Sequence, residues 1–429
     1  MPTELPTIPS SSPAVPSTKD SIDFFDNLEF RHEENTQTDE HSIRMASECR
    51  RRLIEATEKI YKQQSSPNDN TKTQQLGIIL SGGVDTCAIL EAAAMSSLDI
   101  TFAVAITVVI GDTSPDELYS KYAVYKHQDI IKKHVIIKMT PQQLIDTYLP
   151  STIQILHTWD GMTIRNSLVI AAAFQQAASQ TFGLTDVIVG DGADELFGGY
   201  SFTWGSTPDN MTTSEEWKDK RDSMCSQWTF ATNDIAKHYN LKSYSPYMDH
   251  EIMVDWALNE TQRDDCISYD QCYIQLTLGG PYEIHTTGKV LLREAFVTGS
   301  SWRRKDPIEV GSGITIIGYD DYWTNYHNIT DEEFRMEQTN LRREHGIIIN
   351  SKEYLMNFRT YQQVFGGIAH STKQRYPMND DRGCIGCCFE IGSTTSMFCH
   401  ICGAYPAQRN SPSPPSSPTT ATTVTTTES

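Results

Sequence analysis

The chain has 429 residues, a formal net charge of -20, 38% hydrophobic residues and ten cysteines, which is room for one large domain with appendages or two modest ones. The acidity works against nucleic acid or an anionic membrane as main partner, and the longest apolar run, residues 102–110, is too short to cross a bilayer. Residues 1–20 have neither the basic start nor the apolar run of a secretory signal, so the cysteines are expected as thiols or metal ligands in a reducing compartment, the cytoplasm.

Residues 1–43 are rich in Pro, Ser, Thr and acids, and such a composition predicts disorder. Residues 44–75 read as a helix and a linker: Met45, Cys49, Leu53, Ile54 and Ile60 have helical spacing over 42–64, and a polar break follows. From residue 76 the pattern alternates. Strand-length apolar runs at 76–80, 100–110, 134–139 and 186–190 are separated by helical segments at 86–97, 115–132, 141–156 and 164–182. This is the signature of an α/β fold, a doubly wound parallel sheet with helices on both faces, and it is assigned to residues 76–318. Ligands of such sheets bind beyond the carboxyl ends of the strands. Residues 208–300 read as mostly helical, 319–383 as a helical extension, 384–405 as a small zinc-ribbon-like module and 406–429 as a disordered tail.

The first predicted strand of the sheet runs into Ser81-Gly82-Gly83-Val84-Asp85-Thr86. Glycines let backbone approach a phosphate, and the free amides of a helix start point at it. Ser81 and Thr86 add hydroxyls, and Asp85 makes sense beside phosphate only with Mg²⁺ between them. Taken alone, the stretch also fits a glycine turn with an Asp cap. The strand at 186–190 ends at Gly190 and leads into Asp191-Gly192-Ala193-Asp194-Glu195-Leu196-Phe197-Gly198-Gly199-Tyr200. Carboxylates crowded in this way need a cation or a proton.

The first loop resembles the Ser-Gly-Gly-x-Asp-Ser/Thr loop of the ATP pyrophosphatases. The second resembles the Gly-Glu-Gly-Ala-Asp-Glu-Leu-Phe-Gly-Gly-Tyr motif of the asparagine synthetases within that superfamily. Further stretches agree in order: Ser114-Pro115-Asp116, Asp160-Gly161-Met162-Thr163-Ile164-Arg165, Ser245-Pro246-Tyr247-Met248-Asp249, Lys289-Val-Leu-Leu-Arg293 and Trp302-Arg303-Arg304-Lys305. The chain departs from the family at Asp191 (a Glu there), Met162 (a Thr) and Tyr244 (an Arg). The resemblance implies an adenine nucleotide alpha hydrolase-like fold that splits ATP into AMP and pyrophosphate. It implies ATP on Ser81, Gly82, Gly83, Asp85, Thr86 and Gly190, and Mg²⁺ shared by Asp85 and Asp194. Catalytic roles fall to Asp191, Lys305, Arg165 and Thr163. Arg303 and Arg304 are expected to be solvated or to steer phosphate.

The resemblance also implies a substrate carboxylate, aspartate in that family, and an amine donor. Glutamine-using members carry an N-terminal glutaminase with cysteine directly after the initiator Met. Here the first cysteine is Cys49, so the amine is expected from ammonia, a separate glutaminase or another molecule. Two other readings share the phosphate loop: a tRNA-thiolation enzyme, and a nucleotide-binding regulator without catalysis.

Cys384-x-x-Cys387-Cys388 and Cys399-x-x-Cys402-Gly403 form paired knuckles with the spacing of a four-thiolate Zn²⁺ site. The expected ligands are Cys384, Cys387, Cys399 and Cys402, with Cys388 and His400 as adjacent alternatives. Four protein ligands leave no open position, so the zinc is expected to be structural, with a protein partner a further role for such a ribbon.

Overall fold

The computed structural model describes residues 23–32, 34–35, 39–64, 75–205, 210–297, 299–370, 372–391 and 398–408. Of these, the residues within 1–148 and 165–316 form one compact unit, and those within 149–164 and 317–408 form a second.

The first unit is built on five parallel strands: β1 (Leu76–Ile79), β2 (Val104–Ile110), β3 (His134–Met139), β4 (Asp186–Ile188) and β5 (Lys242–Tyr244), in the spatial order β3-β2-β1-β4-β5. β2 is buried at every position, as a strand covered on both faces must be. Helices α1 (Glu40–Gln64), α2 (Val84–Ala94) and α3 (Pro115–Lys126) belong to this unit, and α1 and α2 supply Leu53, Ala56, Ile89 and Leu90 to its core. Helix α4 (Pro141–Leu156) begins in this unit and ends in the second, and α5 (Gly161–Ala177) brings the chain back. The sheet grows outward from β1 to β3 and then, on the other side of β1, through β4 and β5. The switch point therefore lies between β1 and β4, where open α/β sheets bind their ligands. A short helix α6 (Ala193–Phe197) follows β4, and α7 (Ser214–Gln227) and α8 (Ala231–His238) precede β5.

Two expectations are corrected here. Residues 208–300 are not mostly helical. They hold β5 and an antiparallel hairpin of β6 (Ser268–Gln275) and β7 (Tyr282–Thr287), which leads into helix α9 (Val290–Ala295). The polar sequence of β6 concealed its alternation of buried Cys272 and Ile274, and Gly279-Gly280-Pro281 was the overlooked turn signal. The disorder expected for 1–43 does not extend over its described residues. Phe25 is buried with Tyr119, Tyr122 and Leu278, and Phe24, Leu28 and Phe30 pack around them. An average over an acidic segment hides a short aromatic pattern of this kind. Residues 1–22 and most of the 65–75 break lie outside the described residues.

The second unit contains helices α10 (Asp320–His327), α11 (Asp331–His345) and α12 (Lys352–Phe365). Thr330 and Ser351 cap the latter two by accepting the amides of Glu333 and Tyr354. Its core includes Trp159, packed edge-on against Phe358 and Tyr361 at 5.2 and 4.8 Å. Two cysteine knuckles follow. The folded module passes the boundary expected at residue 405: Ala407 is buried and accepts the Ile385 amide at 2.9 Å. Residues 409–429 lie outside the described residues. No helix among the described residues is long and apolar enough to cross a membrane.

Candidate functional site

The loop after β1 and the loop after β4 flank the switch point. Ser81, Gly82 and Gly83 form the first, and α2 starts at Gly83 without a side-chain cap, an arrangement that leaves its first amides to an anion. Gly82 has φ +69°, and a Cβ there would lie 2.5 Å from the Ser120 amide nitrogen, so the loop tolerates no side chain at this point. The Ser81 hydroxyl accepts the Gly83 amide at 3.2 Å, and Thr86 is buried one turn along. Gly190 closes the approach from β4: a Cβ on it would come within 3.0 Å of the Asp85 Cβ.

Asp85 and Asp194 converge on one ammonium group. Lys289 Nζ lies 2.5 and 2.7 Å from the two oxygens of Asp85 and 2.7 Å from Asp194 Oδ1. Lys305 reaches the same Asp194 oxygen at 3.3 Å and stands 4.8 Å over the Tyr200 ring, whose hydroxyl donates to Glu195 at 2.9 Å. Lys289 is 1% exposed, whereas the Asp85 and Asp194 side chains are 23% and 22% exposed, so the carboxylates stay open to a ligand. Gly199 makes the cluster sterically feasible, because a Cβ there would overlap Asp194 Oδ1 and come within 2.6 Å of Lys289 Cε.

The charges follow from this geometry. Burial opposes ionisation of Asp194, yet Lys289 and Lys305 hold its carboxyl below the usual range. Burial likewise opposes the charge on Lys289, and Asp194 and Asp85 override it. Glu195 is pushed up to about 7 by burial and by the Asp194 charge. Asp191 is pushed up to about 6, chiefly by burial, with a hydrogen bond to Thr232 pulling the other way. Asp191 lines a cavity of about 240 Å³ with Lys59, Asn233, Tyr244 and Ser245, and its carbonyl accepts the Ser245 hydroxyl at 2.5 Å.

Three residues lie in stretches that the sequence singled out, but their contacts in this site were not read from it. Lys289 stands 204 residues from Asp85 in the chain, and no local spacing links them. Tyr247 is fully buried and donates to the Asp85 carbonyl at 2.8 Å. Of the two alternatives expected for Arg303, solvated or steering phosphate, burial removes the first: it is 3% exposed, donates to the Gly82 carbonyl at 2.8 Å, pairs with Asp306 at 3.1 Å and lies 3.9 Å over the Tyr119 ring. It ties the loop after β1 to the segment around residue 303. Asp116, of the Ser114-Pro115-Asp116 turn, faces it at 3.6 Å. Arg304, beside it, is exposed as expected.

Thr163 and Arg165 lie on α5. Thr163 is in the second unit, where its amide and hydroxyl both donate to Asp160 Oδ2, at 3.0 and 2.5 Å. Arg165 follows two residues later, where the helix has passed into the first unit.

The second unit gathers the Sγ atoms of Cys384, Cys387, Cys399 and Cys402 within 4.8 Å of one another, all four residues buried. Cys384 and Cys402 are 3.6 Å apart, and Cys387 and Cys399 are 3.7 Å apart. Tetrahedral thiolates on Zn²⁺ bonds of about 2.3 Å stand about 3.8 Å apart, so the donor set fits that ion. Of the adjacent residues, Cys388 Sγ approaches the Gly346 carbonyl at 3.6 Å, and His400 is exposed.

With this geometry in place, two similarities to known proteins can be set beside it. Residues 69–228 match the asparagine synthase family model. A probable glutamine-hydrolysing asparagine synthetase of Dictyostelium discoideum is 26% identical over 211 residues, covering 47% of this chain and 35% of that protein. The chain thus matches about a third of the length of this curated relative.

Proposed function

We propose that the protein is an ATP-dependent carbon–nitrogen ligase of the asparagine synthase family, a reading supported by the match of residues 69–228 to that family's model. A carboxylate attacks the α-phosphate of ATP and pyrophosphate leaves; an amine then attacks the acyl-adenylate and expels AMP. One observation carries this reading: the loops after β1 and β4 meet in a single charge cluster, Asp85–Lys289–Asp194–Lys305, beside an uncapped helix start.

Each part has a task. The amides of α2 receive phosphate, with Ser81 and Thr86 adding hydroxyls. Asp85 and Asp194 would hold Mg²⁺, since two accessible hard carboxylates suit that ion, and when bound it screens the triphosphate charge. Lys289 keeps both carboxylates in place. Lys305, the more exposed of the two lysines, stabilises charge developing at the α-phosphate. Arg165 meets the charge of the departing pyrophosphate, and Thr163 supports the first turn of its helix. Asp191, poised near neutral pH, takes a proton from the attacking amine.

Aspartate is the proposed carboxylate, and ammonia, free or from a separate glutaminase, is the proposed amine. The four cysteines are proposed to hold structural Zn²⁺.

The test is pyrophosphate release from Mg-ATP with aspartate and ammonium, comparing wild type with Asp85→Ala. Release that needs aspartate, yields asparagine and disappears in the variant supports the reading. Release with another carboxylate keeps the chemistry and changes the substrate. No release with any carboxylate overturns it in favour of the tRNA-thiolation or regulatory reading.

A further inference from the structure

The four-cysteine site does more than close its own module. Its second knuckle is hydrogen-bonded to the segment that begins α5, and the whole connection lies within the second unit. The knuckle closes through the Gly403 amide on the Cys399 carbonyl at 2.8 Å. That turn presents the Ile401 carbonyl, which accepts both the Trp159 amide at 2.9 Å and the Thr158 hydroxyl at 3.0 Å. The same Thr158 hydroxyl accepts the Asp160 amide at 3.0 Å. Asp160 then serves two sides: Oδ1 accepts the Tyr354 hydroxyl at 2.6 Å, and Oδ2 accepts the amide and hydroxyl of Thr163 in the first turn of α5. Asp160 is 3% exposed and Trp159 fully buried, so water does not substitute for these bonds. The fit is tight at Gly403, where φ is +73° and a Cβ would lie 2.1 Å from Asp160 Oδ1.

We infer that Zn²⁺ on Cys384, Cys387, Cys399 and Cys402 fixes the start of α5, so that metal occupancy sets the placement of Arg165 one half-turn further along. Four buried thiols without the ion repel once ionised and lose their common centre when neutral. The knuckle then has nothing to hold the Ile401 carbonyl in place. Thr158, Asp160 and Tyr354 are positioning residues in this account. The consequence for catalysis rests on the role proposed above for Arg165; the metal-dependent order of residues 158–164 does not.

The experiment uses the full chain. Zinc content is measured, then hydrogen exchange is followed before and after chelation and after zinc is returned. The account expects one Zn²⁺ per chain, loss of protection at the amides of Trp159, Thr163 and Ile164 on chelation, unchanged protection in β1 and β2, and recovery with zinc. A chain that binds no zinc, or one in which chelation exposes only residues 384–405, overturns it. If the metal-free chain unfolds throughout, Thr158→Val decides. It keeps every thiol and the shape of the side chain, yet breaks the link between knuckle and Asp160. Zinc content should hold while exchange at Asp160–Ile164 speeds up roughly 30-fold, as loss of the two buried hydrogen bonds of the Thr158 hydroxyl implies. Unchanged exchange contradicts the inference. In the same variant, kcat for pyrophosphate release should fall with KM for ATP unchanged. Wild type without pyrophosphate release would sink the ligase reading and leave the exchange result standing.

Discussion

Two sites in this molecule concentrate groups that cannot be left alone, and they solve the problem differently. In the first unit, Asp85 and Asp194 carry their own cation, since Lys289 touches both and Lys305 touches one. In the second, four buried thiols converge within 4.8 Å of one another. The carboxylate site is complete as protein and open to solvent on its acidic side, which suits a ligand that comes and goes. The thiol site has a common centre only when an ion supplies it, which suits a permanent one.

Removing the two cations should therefore have unequal effects. The largest is expected for zinc. Metal binding to four cysteines is worth on the order of 10 kcal/mol to a small module. A chelator should lower or abolish the calorimetric transition of the second unit and leave that of the first. A single unchanged transition would erase the contrast. Next comes Lys289→Met, which leaves two carboxylates facing each other without their buried partner. A loss of about 3–5 kcal/mol in urea unfolding is expected, and a loss below about 1 kcal/mol would mean that the lysine does not hold the pair.

These two sites were also legible to different degrees. The four-cysteine group could be read directly, because both pairs are local spacings. The phosphate and acidic loops could be read for the same reason. The contacts of Lys289, Arg303 and Tyr247 could not, because each residue reaches the site from a distant segment through the tertiary fold. The parallel sheet was visible in its apolar strands, whereas β6 was not, because its buried Cys272 and Ile274 stand among Gln271, Tyr273 and a buried Gln275. Composition misjudged residues 23–32, where a few aromatics outweigh an acidic average.

Smaller effects sharpen the comparison. Lys305→Ala should leave stability within about 1 kcal/mol, since the side chain is 27% exposed, while kcat for pyrophosphate release falls about 10²–10³-fold. An unchanged kcat would remove Lys305 from the chemistry. Asp191, with its pKa raised to about 6, is charged only above that pH. Product formation should rise through about pH 6 in wild type, and Asp191→Asn should be slow and lack that limb. The sign for stability is the reverse of a salt-bridged acid: a raised carboxyl disfavours the fold once pH exceeds its unfolded value, so Asp191→Asn should stabilise at pH 7 and have no effect near pH 3. The smallest effect is expected for Cys388→Ser. Its thiol approaches the Gly346 carbonyl and lies outside the four-cysteine group, so zinc content should be unchanged, and a halved content would make it a ligand.

The central claim, that ATP is spent on an acyl-adenylate, is tested most directly by isotope transfer. Aspartate labelled with ¹⁸O in its side-chain carboxylate is incubated with Mg-ATP, ammonium and the enzyme, and the nucleotide product is analysed by mass spectrometry. The account predicts AMP carrying one ¹⁸O on its phosphate, because the carboxylate oxygen that attacked the α-phosphate stays with it when the amine displaces AMP. Unlabelled AMP, or ADP in its place, would contradict it.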